Sequence, residues 1–210
     1  MITETPLPPL VEETLQRLME GNRRFVSGAP NSSALSSPQR RSELTQSQAP
    51  FAVVLGCSDS RVPAEIVFDQ GLGDLFVIRV AGNVVTPTQI GSIEFAVAEF
   101  ATPLVVVLGH SRCGAVQATL SQLNNPQQPL SPSLRALIRC LQPAVEPLLE
   151  ADWAEDPEAL LTAAVQANIR ASVEALPRES EIIEGRIASG ELVVMGAEYS
   201  LETGLVDFFR

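Results

Sequence analysis

The sequence predicts an α/β fold: a mostly parallel central sheet of about four strands, an antiparallel edge strand, and helices on both faces. Three observations predict it. Short apolar runs of strand length, Phe51 to Leu55, Leu75 to Val80 and Leu104 to Leu108, are the pattern of strands covered on both faces. Stretches with apolar residues at helical spacing alternate with these runs, as in βαβ units. A late run, Glu191 to Met195, precedes Thr203-Gly204 and Leu205 to Phe209, which reads as a turn into an antiparallel edge pair.

In chain order, residues 1 to about 9 are proline-rich and irregular. Leu15, Leu18 and Phe25 then recur near helical spacing and predict an amphipathic helix over Val11 to Phe25. Gly28 to Ser37 is a loop, and Ser37-Pro38 is a helix start, with serine as N-cap and proline at the first helical position. Both N-terminal helices lack an obvious core of their own. After the first strand, Gly56 is placed to let the backbone turn sharply. Pro63 to Asp69 reads as a short helix, and Ile90, Ile93, Val97 and Phe100 form one stripe of a helix over Gln89 to Phe100. Leu123 to Ser133 is a proline-bearing surface loop. Leu134 to Leu149 and Glu158 to Leu176 are the last predicted helices.

Composition narrows the function. A chain of 210 residues, 45% apolar and 19% charged, fits one globular domain with a large core. A net charge of −11 excludes nucleic acid and anionic membrane as natural partners, because both would repel it. No apolar run approaches the ~20 residues of a membrane span. Met1 to Leu10 has no basic or apolar signal region, so the reading is cytoplasmic. Three cysteines, an odd number, fit a reducing compartment better than a disulfide scaffold.

The chemistry-bearing residues gather at two strand ends. Cys57 follows the first strand and His110 follows the third, where sites are built in open α/β sheets. With Cys113 they make the three-ligand set of a catalytic zinc, which keeps a fourth position open; structural zinc sites usually close with four Cys or His ligands. Buried cysteines and a satisfied core histidine are the bland alternative. His110 is the only histidine, and His110 and Cys113 point the same way if a helix begins there. Gly114-Ala115-Val116 offers small residues for close packing of that helix's start. Cys140 sits in a predicted helix and reads as core. Asp59 and Arg61 lie two and four residues after Cys57, where an ion pair can orient a hydroxide on the metal.

These motifs resemble a known family. Cys57-x-Asp59-x-Arg61, about fifty residues before His110-x-x-Cys113, is similar to the β-class carbonic anhydrases. Val77 to Asn83 and Gly196-Ala197-Glu198-Tyr199-x-Leu201-x-Thr203-Gly204 resemble further family segments, and the likeness runs from about Glu12 to Phe209. The resemblance implies reversible hydration of carbon dioxide by attack of zinc-bound hydroxide, with Asp59 and Arg61 as catalytic dyad. It implies a substrate-binding role for Gln48, often across a dimer interface, and an N-terminal helical arm (residues 1–50) lying over a neighbour. Residues 51–210 are then the zinc-binding part of one domain, and the assembly is a homodimer or a dimer of dimers. The same scaffold also serves hydrolysis of carbon disulfide or carbonyl sulfide, and a non-catalytic zinc protein is a third reading.

Within the family two types differ in whether bicarbonate, bound in a side pocket of tryptophan, arginine and tyrosine, releases the aspartate onto zinc. Arg79 and Tyr199 match that pocket, but Val54 stands at its tryptophan position, and the only tryptophan is Trp153. Gly56 matches the bicarbonate-regulated type. On balance the chain resembles the plant-type, open-site branch, with Asp59 paired to Arg61.

Overall fold

The strands Ala52–Gly56 (β1), Leu75–Arg79 (β2), Leu104–His110 (β3), Val193–Tyr199 (β4) and Val206–Phe209 (β5) form one sheet in the order β2-β1-β3-β4-β5. The structure is a computed structural model describing residues 6–31, 36–150 and 156–209; Trp153 and the centre of the Gly28 to Ser37 loop lie outside these. All strand pairs are parallel except β4 with β5, as the sequence predicts.

Every residue of β1 and β3 is buried, which explains their uninterrupted apolar runs. Because side chains alternate along a strand, each splits its residues between two layers. Val53, Leu55, Val105 and Val107 face the larger one. It is covered by Pro87–Phe100 (α4), Gly114–Asn124 (α5), Pro132–Val145 (α6), Pro157–Arg178 (α7) and Glu181–Ala188 (α8). Ala52, Val54, Leu104, Val106 and Leu108 face the other layer, under Pro9–Val26 (α1) and the short helix Ala64–Val67 (α3). Pro38–Glu43 (α2) stands outside both, with no buried residue.

Several expectations change here. Helix α1 does have a core within its own chain: Val11 and Leu18 are buried against the sheet, and full burial of a leucine contributes about 1.5–3 kcal/mol. Gly21 makes the close approach possible, since a Cβ there would lie 1.8 Å from the Phe68 carbonyl oxygen. Of the two N-terminal helices, α2 alone buries no residue among the described residues. Helix α8 has no counterpart among the predicted helices, although Ser180 caps it by accepting the Ile183 N–H. Strand β4 extends to Tyr199, because pairing with β3 from Leu104 to His110 carries it past its apolar half.

One packing detail bears on the site. Helix α7 lies close to the sheet because Gly109 on β3 and Gly196 on β4 leave room for Ile169, which is fully buried. A Cβ on Gly109 would come within 2.5 Å of Ile169 Cγ1 and Cδ1, and one on Gly196 within 2.9 Å of its Cγ2. Asn168 and Ser172 of the same helix donate to the carbonyls of Gly82 and Asn83, at 2.8 and 3.3 Å.

Candidate metal centre

After β1 the chain crosses to β2 on one side, and after β3 it crosses to β4 on the other. The carboxyl ends of β1 and β3 therefore flank the switch point of the sheet, where connections diverge and leave a crevice. Cys57 stands just beyond β1, His110 is the last residue of β3, and Cys113 is the N-cap of α5. All three are buried, at 4%, 0% and 2% exposure. Their donor atoms lie within 4.8 Å of one another.

The local route differs from the expected one. His110 and Cys113 do not share a helix; a strand end and a helix N-cap are joined by a turn in which Arg112 adopts φ 54°. Gly56 is an ordinary strand residue, where a Cβ would meet nothing closer than 3.8 Å, and the tight turn is at Gly82 instead. At Gly82, with φ 71°, a Cβ would press on Leu141 at 3.1 Å and on Ala115 at 3.2 Å. Gly114 has open space where a Cβ would be, so Ala115 is the close-packed residue at the start of α5.

Hydrogen bonding leaves the cluster short of one partner. Nδ1 of His110 lies 2.9 Å from the Ser111 carbonyl oxygen, so it carries the proton, and Nε2 carries the lone pair. That Nε2 is buried and has no hydrogen-bond partner among the described residues. A buried polar atom left so costs about 1–3 kcal/mol unless something else binds it. The Cys57 sulfur accepts N–H groups from Gly82 at 3.3 Å and Asp59 at 3.4 Å. Contact with Cys113 and these N–H donors push the Cys57 thiol down, while contact with Cys57 and burial push the Cys113 thiol up. Two soft sulfurs and a bare imidazole nitrogen fit a zinc ion, whose binding would displace thiol protons.

Asp59 is gripped by Arg61 through three bonds: Nε to Oδ1 at 2.9 Å, a terminal nitrogen to Oδ2 at 2.7 Å, and the backbone N–H to Oδ1 at 3.0 Å. These donors hold its carboxyl well below the usual carboxylate range. Oδ2 of Asp59 lies 3.9 Å from His110 Nε2, so the carboxylate stands beside the bare nitrogen. Arg79 donates to the carbonyls of Cys57 at 2.9 Å and Asp59 at 2.5 Å and thereby braces the loop from outside. Val54 is buried inside β1, paired with Val77 and Val106.

Gln48 is not brought to the cluster within this chain. It is exposed on the wall of a surface cavity of about 550 Å³, beside Arg41, Leu44 and Leu72. Cys140 is exposed, and its thiol donates to the Ala136 carbonyl one turn back, so it is not the core residue expected. No helix among the described residues is long and apolar enough to cross a membrane.

The family model described as "Carbonic anhydrase" matches residues 52–206. Carbonic anhydrase 2 of Mycobacterium tuberculosis is 42% identical over 187 residues, which cover 89% of this chain and 87% of that protein. A carbonic anhydrase of Mycolicibacterium smegmatis is 42% identical over 190 residues, covering 90% and 89%. Among solved structures, the β-carbonic anhydrase CcaA superposes with a TM-score of 0.74 at 29% identity, covering 94% of this chain and 92% of that one. A Coccomyxa β-carbonic anhydrase solved with acetazolamide gives 0.69 at 27% identity, covering 93% and 86%.

Proposed function

The chain belongs to the β-class carbonic anhydrase family, and on that premise we propose that it hydrates carbon dioxide reversibly to bicarbonate and a proton, with zinc held by Cys57, His110 and Cys113. The observation that carries the metal assignment is the buried, partnerless Nε2 of His110 beside two thiols. Bound zinc supplies a water acidified toward pKa ~7, and hence a nucleophile at neutral pH.

The chain's own residues do the rest. Asp59, kept ionised by Arg61, stands where it would accept a hydrogen bond from a nucleophile held at the metal position and so orient that nucleophile's lone pair toward the substrate. Arg61 and the loop bracing by Arg79 keep that carboxylate from wandering. The N–H groups of Gly82 and Asp59 draw charge from the Cys57 sulfur and would thereby offset the electron donation of two thiolates to a bound metal. His110 is occupied as a ligand, so no histidine remains to shuttle protons. Arg79 is engaged with backbone carbonyls and Val54 offers no indole, which supports the open-site branch. Sigmoidal inhibition by bicarbonate would overturn that part.

The test is stopped-flow hydration of carbon dioxide by the purified protein, before and after chelation and after zinc is restored. Activity that follows zinc supports the reading. Hydrolysis of carbon disulfide or carbonyl sulfide without hydration of carbon dioxide overturns it.

We read the active assembly as a homodimer or dimer of dimers, in the cytoplasm, with Gln48 serving a neighbour's substrate. Ile66 and Leu72, 60% and 43% exposed, line a cavity of about 650 Å³, and Leu72 also borders the cavity of Gln48. A second copy would cover this apolar surface. Light scattering that gives one 22.5 kDa chain with full activity refutes it.

A further inference from the structure

The peptide bond between Ser111 and Arg112 decides which nitrogen His110 offers. Its carbonyl is the acceptor for Nδ1–H, and only with the proton held there is Nε2 bare. An acceptor on the very next residue requires the turn to fold back, and Arg112 does so at φ 54°. A non-glycine residue in this left-handed region costs about 1–2 kcal/mol, so the turn needs external support.

That support comes from the β4–β5 hairpin. The Ser111 N–H donates to the Tyr199 carbonyl at 2.9 Å, and its hydroxyl accepts the Leu201 N–H at 3.0 Å. The same hydroxyl donates to Glu202 Oε2 at 2.8 Å, while Arg112 Nε meets Glu202 Oε1 at 2.8 Å. One carboxylate thus grips both residues that flank the carbonyl holding His110. We infer that Glu202 is a positioning residue for His110: through Ser111 and Arg112 it locks the turn that keeps the Nδ1 proton in place and Nε2 free for the metal.

The inference rests on the zinc reading of Cys57, His110 and Cys113. The Ser111 hydroxyl also holds the Glu202 carboxyl below its ordinary range, so Glu202 accepts hydrogen bonds across neutral pH. Glu158, the other partner of Arg112 at 3.0 Å, touches neither Ser111 nor its carbonyl, and it serves as the control.

The test uses the single histidine. Protein labelled with ¹⁵N-histidine has one imidazole, so its Nδ1–H exchange rate is read without ambiguity. The second readout is the rate of zinc loss to an excess of chelator. Removing a supporting partner of a metal ligand costs about 10–100-fold in affinity, and Glu202 acts one link further out. Glu202→Ala and Ser111→Ala should each speed Nδ1–H exchange and zinc loss by about tenfold, and the double variant should be no worse than either, because both break one link. Glu202→Gln should fall between, and Glu158→Ala should match wild type. If Glu202→Ala fails to fold, Glu202→Gln carries the test.

Wild-type values of both rates in Glu202→Ala or Glu202→Gln overturn the inference, even where the variant melts earlier. If the wild type takes up no zinc, the metal reading fails on its own account. Nδ1–H exchange in the metal-free chain then still decides the role of Glu202.

Discussion

Gly109→Ala tests how the packing of α7 reaches the metal centre. The added Cβ would lie 2.5 Å from Ile169 Cγ1 and Cδ1, where carbon atoms normally sit about 3.5–4.0 Å apart. Relief therefore needs a movement of about 1 Å. Ile169 is fully buried on α7, so the clash is relieved by a changed side-chain rotamer or by a shift of the helix. Overpacking of this kind costs about 1–3 kcal/mol. At this chain length each kcal/mol lowers Tm by about 2–4 °C. A shift of α7 also draws Asn168 and Ser172 away from the Gly82 and Asn83 carbonyls, which loosens the N–H that Gly82 gives the Cys57 sulfur. The assay is urea unfolding and thermal melting at fixed protein concentration for Gly109→Ala, Ile169→Ala and the pair. Ile169→Ala alone should cost about 2–5 kcal/mol. In the double variant the new methyl occupies vacated space, so the combined cost should fall short of the sum by about 1 kcal/mol or more. A neutral Gly109→Ala, or strictly additive costs, would refute the reasoning.

Metal analysis should show zinc strongly reduced in Cys57→Ser and His110→Ala, while Cys140→Ser, whose sulfur is exposed on α6, keeps a full complement. Arg61→Ala should retain zinc and lose most hydration activity, because Asp59 keeps only its backbone donor. The Asp59 pKa is depressed, so its ion pair is present above the ordinary carboxylate value of about 4 and is lost as pH falls through the lower folded value. Activity changes between pH 5 and 9 should then not track an Asp59 titration seen by NMR in the wild type, and an Asp59 titration inside that window would count against the pairing. Gly185→Ala should stabilise by about 0.4–1 kcal/mol in thermal melts, since the residue is helical, exposed and has open space around its missing Cβ.

The sheet was legible because β1 and β3 are buried on both faces and so leave unbroken apolar runs. The coming together of Cys57, His110 and Cys113 was legible because the strand ends bear the only histidine and two of the three cysteines. Helix α8 was not, for its eight residues place only Ile183 and Ile187 on the core and carry Gly185 between them, a stripe too short to stand out. The far half of β4 was hidden because its place comes from the β3 ladder, not from side-chain pattern. Gln48 was marked by likeness alone, and its position on the surface gives that mark no support within one chain. The clasp of Glu202 on Ser111 was beyond sequence reasoning, because it joins residues far apart in the chain and depends on a backbone turn. Ser111 and Glu202 offer no spacing signal that would have paired them.

The placement of Cys57 and His110 at the ends of neighbouring strands has a kinetic side. More than fifty residues, including all of β2 and α4, separate them along the chain, so the cluster closes only after that long loop has been paid for. In the unfolded chain only His110 and Cys113 are near each other, too few ligands to capture zinc firmly. On the proposed metal reading, uptake should therefore require the assembled sheet. Zinc should act as a late latch that slows unfolding while leaving the rate of folding nearly unchanged, and a chelator should shorten the life of the folded protein without delaying its formation.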